Sequence, residues 1–212
     1  MSDLWTRSVV GVGLVLVALA TIVHGGWLFV VFVALVACVI LFEWRRLTDG
    51  WGFGWSTAGF VYALLPALAL LWLRERPEVG AQLVLWTMAV TWATDILAYF
   101  AGRAIGGPKL APAVSPNKTW AGLLGGVLGA TAVSALIVST AGLSSRFNLF
   151  APLLAVAAQG GDLFESWLKR RAGAKDSGTL LPGHGGAMDR LDGLVPVACL
   201  SFLLVAGGVI AT

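Results

Sequence analysis

Residues 166–192 read SWLKRRAGAKDSGTLLPGHGGAMDRLD, a concentration of Lys, Arg and Asp around a glycine-rich turn in an otherwise apolar chain. Asp189 and Asp192, three residues apart, share one side of a helical turn, and just upstream Asp162, Glu165, Ser166 and Lys169 fall on one helical stripe. Asp95, in TWATDILAYFAG, shares a face with Tyr99 in the same way. Carboxylates that converge suit a hard divalent cation with oxygen ligands. Magnesium in particular keeps water and shares phosphate oxygens, which points to a phosphorylated ligand rather than a structural metal. Lys169, Arg170, Lys175 and Arg190 supply positive charge, while Gly183, Gly185 and Gly186 permit backbone N–H groups to approach a phosphate closely. His184, in the same turn, is either a phosphate donor or acid, or a side chain held for backbone hydrogen bonding. A glycine turn alone is weak evidence; one with a basic run before it and DRLD after it handles something charged.

The elements that must position these residues are membrane helices. Of 212 residues, 58% are hydrophobic and only 12% charged, against about 25% charged in ordinary soluble domains. A bilayer core needs about 20 apolar residues per helix. Uncharged runs at 9–23, 27–42, 57–73, 81–101, 120–141, 148–165 and 193–211 therefore predict an all-α, polytopic transmembrane bundle of about seven spans. Arg7 before the first apolar run resembles a signal peptide, but no small-residue cleavage site leads into a soluble domain and another apolar run starts at Trp27. The expectation is one membrane domain, 1–212, with N-terminal spans in 1–80 and the chemistry in 81–212, on loops 102–119 and 166–192.

Charge sets the orientation. With the N-terminus in the cytoplasm, eleven Lys and Arg lie on that side and only Arg74, Arg76 and Arg146 lie outside. All the charge-rich loops then share the cytoplasmic face, where they would attract anionic headgroups and solutes. Asp95 and Asp162 fall on or near spans, where carboxylates are costly and usually mark function; the competing reading puts them at helix ends in contact with water. Trp44, Trp51, Trp55, Trp120 and Trp167 fit an interfacial aromatic belt, with Trp51 and Trp55 in a shallow interfacial turn. Cys38 and Cys199 lie within spans and read as small core hydrophobes, not as a disulfide or metal site.

The pattern Ser166, Lys169-Arg170, Lys175-Asp176-Ser177, Leu181-Pro182-Gly183-His184-Gly185-Gly186, Asp189-Arg190, Asp192 resembles the signature of the phosphatidate cytidylyltransferases, the CDP-diacylglycerol synthases. GGDLFES at 160–166 and AYFAGRAIGGPKLAPAVSPNKTWAG at 98–122 are similar to the same family, so the resemblance covers roughly the C-terminal 120 residues with specific motifs. Members of that family are commonly longer at the N-terminus, so the resemblance implies a compact version with its catalytic half whole. No acidic or basic position of the signature is missing.

The resemblance implies transfer of the cytidylyl group of CTP to phosphatidic acid, giving CDP-diacylglycerol and pyrophosphate. It implies magnesium, one ion or two, a membrane-lipid substrate, a homodimer in a bacterial cell membrane with a cytoplasmic active site, and no nucleic-acid partner. A phosphate monoester is largely deprotonated near neutral pH, so the problem is charge neutralisation rather than base catalysis. On this reading Asp162, Asp189 and Asp192, with Asp95 in addition, hold metal directly or through water. Lys169, Arg170, Lys175 and Arg190 hold phosphates, with Lys169, Lys175, Asp189, Arg190 and Asp192 as the catalytic set. Ser166, Gly183, His184, Gly185 and Gly186 line the substrate, and Ser115, Asn117, Lys118 and Thr119 form a second substrate loop or, alternatively, cap the fifth span. Asp176 pairs with Lys175 or Arg171, or caps a turn. A cytidylyltransferase for an ether or isoprenoid lipid phosphate would share these motifs. An anion transporter would show two related halves, and the charge here lies in one half.

Overall fold

The computed structural model describes residues 2–180 and 185–210, with side chains from Val9 onward. Seven long helices dominate: α1 (Ser2–His24), α2 (Gly26–Leu47), α3 (Phe53–Arg74), α4 (Gly80–Ile105), α5 (Trp120–Ala141), α6 (Phe147–Arg171) and α8 (Leu194–Ala206), with a single turn, α7 (Met188–Leu191), before the last. Helices α2 to α6 are long and apolar enough to cross a membrane, whereas the apolar part of α1, Val9–His24, and α8 are shorter. An integral membrane protein built from helices is thus what the sequence folds into. Large apolar side chains face outward along its length, Leu128, Leu136 and Leu149 among them, as lipid contact requires.

The tightest seam lies between α4 and α5. Gly122, Gly125, Gly126 and Gly129 of α5 face Ala98, Ala101, Thr94 and Leu97 of α4, and a Cβ at Gly126 would come within 2.9 Å of the Thr94 carbonyl oxygen. Without side chains in the way the two backbones approach closely and gain dispersion energy, which drives helix association in lipid. Deeper in the bundle Trp86 Nε1 donates to Ser134 Oγ at 2.9 Å, and that hydroxyl donates to Asn148 Oδ1 at 2.8 Å, joining α4, α5 and α6. At the end where α1 and α3 stop, Arg74 Nε donates to the Ile22 carbonyl at 2.6 Å and Nη2 to that of Val23 at 3.0 Å. These bonds satisfy carbonyls that a helix terminus leaves without partners.

Several expectations change. Residues 102–119 are not only loop: β1 (Lys109–Ala111) and β2 (Ser115–Thr119) form an antiparallel hairpin between α4 and α5. The cap of α5 is Thr119, whose hydroxyl accepts from the Gly122 amide at 3.0 Å, rather than Ser115 or Asn117. Trp44 is not in an interfacial belt but buried, its indole N–H donating to the Trp55 carbonyl at 2.8 Å, because α2, α3 and α6 converge on it with Tyr62 and Phe164. Cys38 is exposed on α2 rather than in the core. Asp176 forms no ion pair with Lys175 or Arg171, and Arg171 stacks over Trp51, Trp55 and Trp167 instead. Asp95 and Asp162 stand ten and nine residues before the ends of their helices, so neither is a terminal residue.

Replacing Gly126 with Val should separate α4 from α5 and cost about 1–3 kcal/mol through overpacking. The expected outcome is a lower midpoint of thermal unfolding in detergent, followed by tryptophan fluorescence. An unchanged midpoint would show that the glycine seam does not hold the two helices.

Candidate active site

Three segments bring the charged residues together: the inward stripe of α6, the hairpin after α4, and the segment from Ser177 through α7 to Gly193. They meet at one end of a cavity of about 1230 Å³. Its polar end is lined by Asp95, Lys118, Asp162, Asp189, Arg190 and Asp192.

On the hairpin side, Lys118 Nζ lies 2.6 Å from Asp162 Oδ2 and donates to Gln159 Oε1 at 2.9 Å. The Gln159 amide in turn donates to Asp95 Oδ1 at 3.5 Å, and Ser166 Oγ donates to Asp162 Oδ1 at 3.3 Å. Asp95, Gln159, Lys118, Asp162 and Ser166 thus form one chain linking α4, α6 and β2. The spacing of Gln159, Asp162 and Ser166 puts all three on the stripe that faces the cavity.

On the other side, Lys169 Nζ lies 2.6 Å from Asp189 Oδ1 and 3.1 Å from Glu165 Oε2. Asp189 Oδ2 accepts from the Ser177 amide at 2.9 Å, the Ser177 hydroxyl at 2.9 Å and the Gly186 amide at 3.0 Å. Burial alone would raise the pKa of Asp189, but the Lys169 ammonium and these two amides outweigh it and hold the carboxyl below its ordinary range. Asp192 behaves oppositely. Burial, followed by the nearby charge of Asp162, pushes it up to about 7, although the Gly193 amide donates to its Oδ1 at 2.8 Å.

Glu43 was not among the residues expected at the site. It comes from α2, is fully buried, and accepts from the Ala187 amide at 2.9 Å, the Met188 amide at 2.8 Å and the Ser177 hydroxyl at 3.1 Å. Ser177 therefore sits between two carboxylates. Gly178 packs against Glu43 with no room for a side chain: a Cβ there would reach the carboxylate carbon at 2.9 Å. Gln159 was missed as well. The signal for Glu43 was available, as an acid at the end of an apolar run beside Arg45 and Arg46, but it stands far along the chain from the charged stretch 166–192.

The expected residues divide clearly. Asp95, Lys118 and Asp162 belong to one connected group and Lys169 and Asp189 to another, while Asp192, Arg190 and Asn117 line the same cavity. Arg170 and Lys175 are exposed, Ser115 starts β2, and Thr119 is buried in its capping role. The amides of Gly186, Ala187 and Met188 are taken by Asp189 and Glu43. Gly185 has the positive φ of 84° that favours glycine. Gly183 and His184 lie outside the described residues.

Among the described residues, no three His, Cys, Asp or Glu side chains are gathered closely enough to cage a metal ion unaided. Asp95, Asp162 and Asp192 line one polar cavity, and Glu165 Oε1 is buried without a hydrogen-bond partner among the described residues. A cation that completes its shell with water and substrate phosphate suits such a set.

Fold and site together define an integral membrane protein whose charged cavity opens into an apolar interior. Residues 50–207 match the Cytidylyltransferase family, and the chain belongs to that family. It is 45% identical over 197 residues, 91% of this chain and 71% of the relative, to a phosphatidate cytidylyltransferase of Brucella abortus. Identity to a phosphatidate cytidylyltransferase of Rickettsia bellii is 35% over 212 residues, 96% of this chain and 91% of the relative. For the protein of that name from Rickettsia typhi it is 31% over 209 residues.

Glu43→Ala should leave the Ala187 and Met188 amides without their acceptor, at about 1–3 kcal/mol for each buried group, while the Ser177 hydroxyl keeps Asp189. Lower thermal stability in detergent and reduced turnover are expected together, with Glu43→Gln intermediate because it keeps volume and one acceptor. A Glu43→Ala protein that melts and turns over like wild type would refute the anchoring role.

Proposed function

We propose that the protein transfers the cytidylyl group of CTP to phosphatidic acid, producing CDP-diacylglycerol and pyrophosphate. The observation that carries this reading is the single cavity, charged at one end and apolar through the rest, because the reaction joins a water-soluble triphosphate to a lipid. Family membership and the relatives' names support it. In the reaction, a phosphate oxygen of phosphatidic acid forms a bond to the α-phosphorus of CTP as the bond from that phosphorus to the bridging α–β oxygen breaks. Both partners are polyanions, so the rate depends on positioning and charge neutralisation.

Lys118 and Lys169 are the cations placed for this work. Lys118 lines the cavity and Lys169 stands against Asp189, which lines it; they lie 2.6 Å from Asp162 and from Asp189 respectively, and each can exchange such a contact for a phosphate oxygen. Arg190 lines the same space, while exposed Arg170 and Lys175 extend positive charge toward water. The signature loop around Gly185 is proposed to contact substrate phosphate. Asp162 and Asp192, with Asp95, would hold magnesium, which when bound would neutralise phosphate charge. Asp189 would join them only by giving up one of its present hydrogen bonds.

The finer topology belongs to the same reading. Seven crossings with a cytoplasmic N-terminus put eleven of the fourteen Lys and Arg residues on the cytoplasmic side, which is where CTP is available. A cell-membrane location and a homodimer accompany this proposal.

Purified protein, given labelled CTP, phosphatidic acid and magnesium, should transfer label into chloroform-extractable CDP-diacylglycerol. Chelation with EDTA should stop it, and Asp162→Asn should slow it on the order of 10²-fold, the scale of losing one organised charge contact. A folded, CTP-binding preparation that leaves phosphatidic acid unlabelled would overturn the assigned substrate.

A further inference from the structure

Resting on the reading of the substrate as a lipid phosphate, we propose that one of its acyl chains is taken inside the protein, between α1, α2, α3 and α4, and that the floor of this limb limits chain length. The apolar limb is continuous with the charged end of the cavity, so its occupant is attached to what binds there. The limb runs from Gly11 to Ile22 on α1, from Phe29 to Ile40 on α2 and from Val84 to Asp95 on α4, whose lining continues beside the charged end to Arg103, and α3 adds Ala63, Pro66, Ala67 and Leu70. Each interval is eleven residues, or about 16 Å at about 1.5 Å per residue. Half of the hydrocarbon core, the depth one acyl chain fills, is about 15 Å.

The alternating direction of the helices places Ile22, Phe29 and Val84 together at the deep end, and Gly11, Ile40 and Asp95 at the charged end. Ile22, Phe29 and Val84 are 1%, 3% and 1% exposed and belong to one packed cluster, which closes the floor. Ala18, Val33 and Met88 form the walls at mid-depth. Leu14 and Leu35, also lining the limb, are 42% and 62% exposed, so the side is open and a chain can enter laterally without being threaded. A limb of this depth with apolar walls and a sealed end measures chain length, since methylenes beyond the floor find no apolar surface to cover.

The test compares dihexanoyl with dioleoyl phosphatidic acid in the labelled-CTP assay, using wild type, Val33→Trp and Phe29→Ala. Val33→Trp fills the limb at mid-depth and should lower kcat/KM for the dioleoyl lipid about tenfold or more, the scale of losing a few buried methylenes, while the dihexanoyl lipid changes by less than about twofold. With dierucoyl phosphatidic acid added to the set, Phe29→Ala should raise kcat/KM for that longer lipid relative to the dioleoyl one. The same ratio of the two lipids in all three proteins would mean that bulk lipid merely fills the limb, and the proposal falls. A second readout does not need turnover: phosphatidic acid carrying a mid-chain photoreactive diazirine should label peptides containing Val33 or Met88. Labelling confined to other surfaces overturns the proposal. A wild type that is labelled there but transfers nothing to either lipid keeps the acyl site and refutes the reaction instead.

Discussion

A carboxylate removed from water must be given hydrogen bonds or a counter-charge, and the active end of this protein is organised around meeting that demand. Glu43, fully buried in α2, is met by two backbone amides and a hydroxyl, and those donors come from the segment that carries Asp189. Asp189 is met by the same hydroxyl, two further amides and Lys169. The Ser177 hydroxyl has a single proton to share between the two carboxylates, which couples α2 to α7. Buried ion pairs are seldom net stabilising, because desolvation offsets their attraction. Their effect here is placement: they determine where the segment sits, while the apolar contact of Met188 with Trp44 and Leu168 keeps it down.

The other half of the site depends on a different constraint. In lipid the hydrophobic effect does not drive helices together, so α4 and α5 rely on close backbone approach through Gly122, Gly125, Gly126 and Gly129. The seam fixes the two helix ends from which the hairpin springs, and the hairpin delivers Lys118 to Asp162 and Gln159. Asp95, well inside α4, reaches the same group through Gln159. The polar chain thus reports the registry of three helices, and an error in any of them would leave a charge without its partner.

Much of this was legible in the sequence because the relevant periodicities are local. The stripe Asp162, Glu165, Ser166 and Lys169 needed only 3.6 residues per turn, and the apolar runs needed only the thickness of a bilayer. The cluster of charge in residues 166–192 indicated the site before any geometry. What could not be read were partnerships across distance. Glu43 lies more than a hundred residues from the amides it holds and outside the stretch matched to the family, residues 50–207. Gln159 looks like an ordinary polar residue until Lys118 and Asp95 are found on either side of it. Trp44 failed for a related reason: position along the chain predicted an interface, but three helices converge there. The hairpin was hidden because Gly106, Gly107, Pro108 and Pro112 break helix without specifying what replaces it.

The hairpin also limits how this chain can change. Lys109 pairs with Thr119 and Ala111 with Ser115, and the register shifts between the two pairs, so strict alternation of faces does not place Lys118. Its place is set instead by the next residue, Thr119, which both pairs with Lys109 and caps α5. Most surface connections absorb insertions and deletions readily. A residue inserted between Lys118 and Thr119 would carry the ammonium away from Asp162 and Gln159, so viable length variants would accumulate in the other turns and spare that junction.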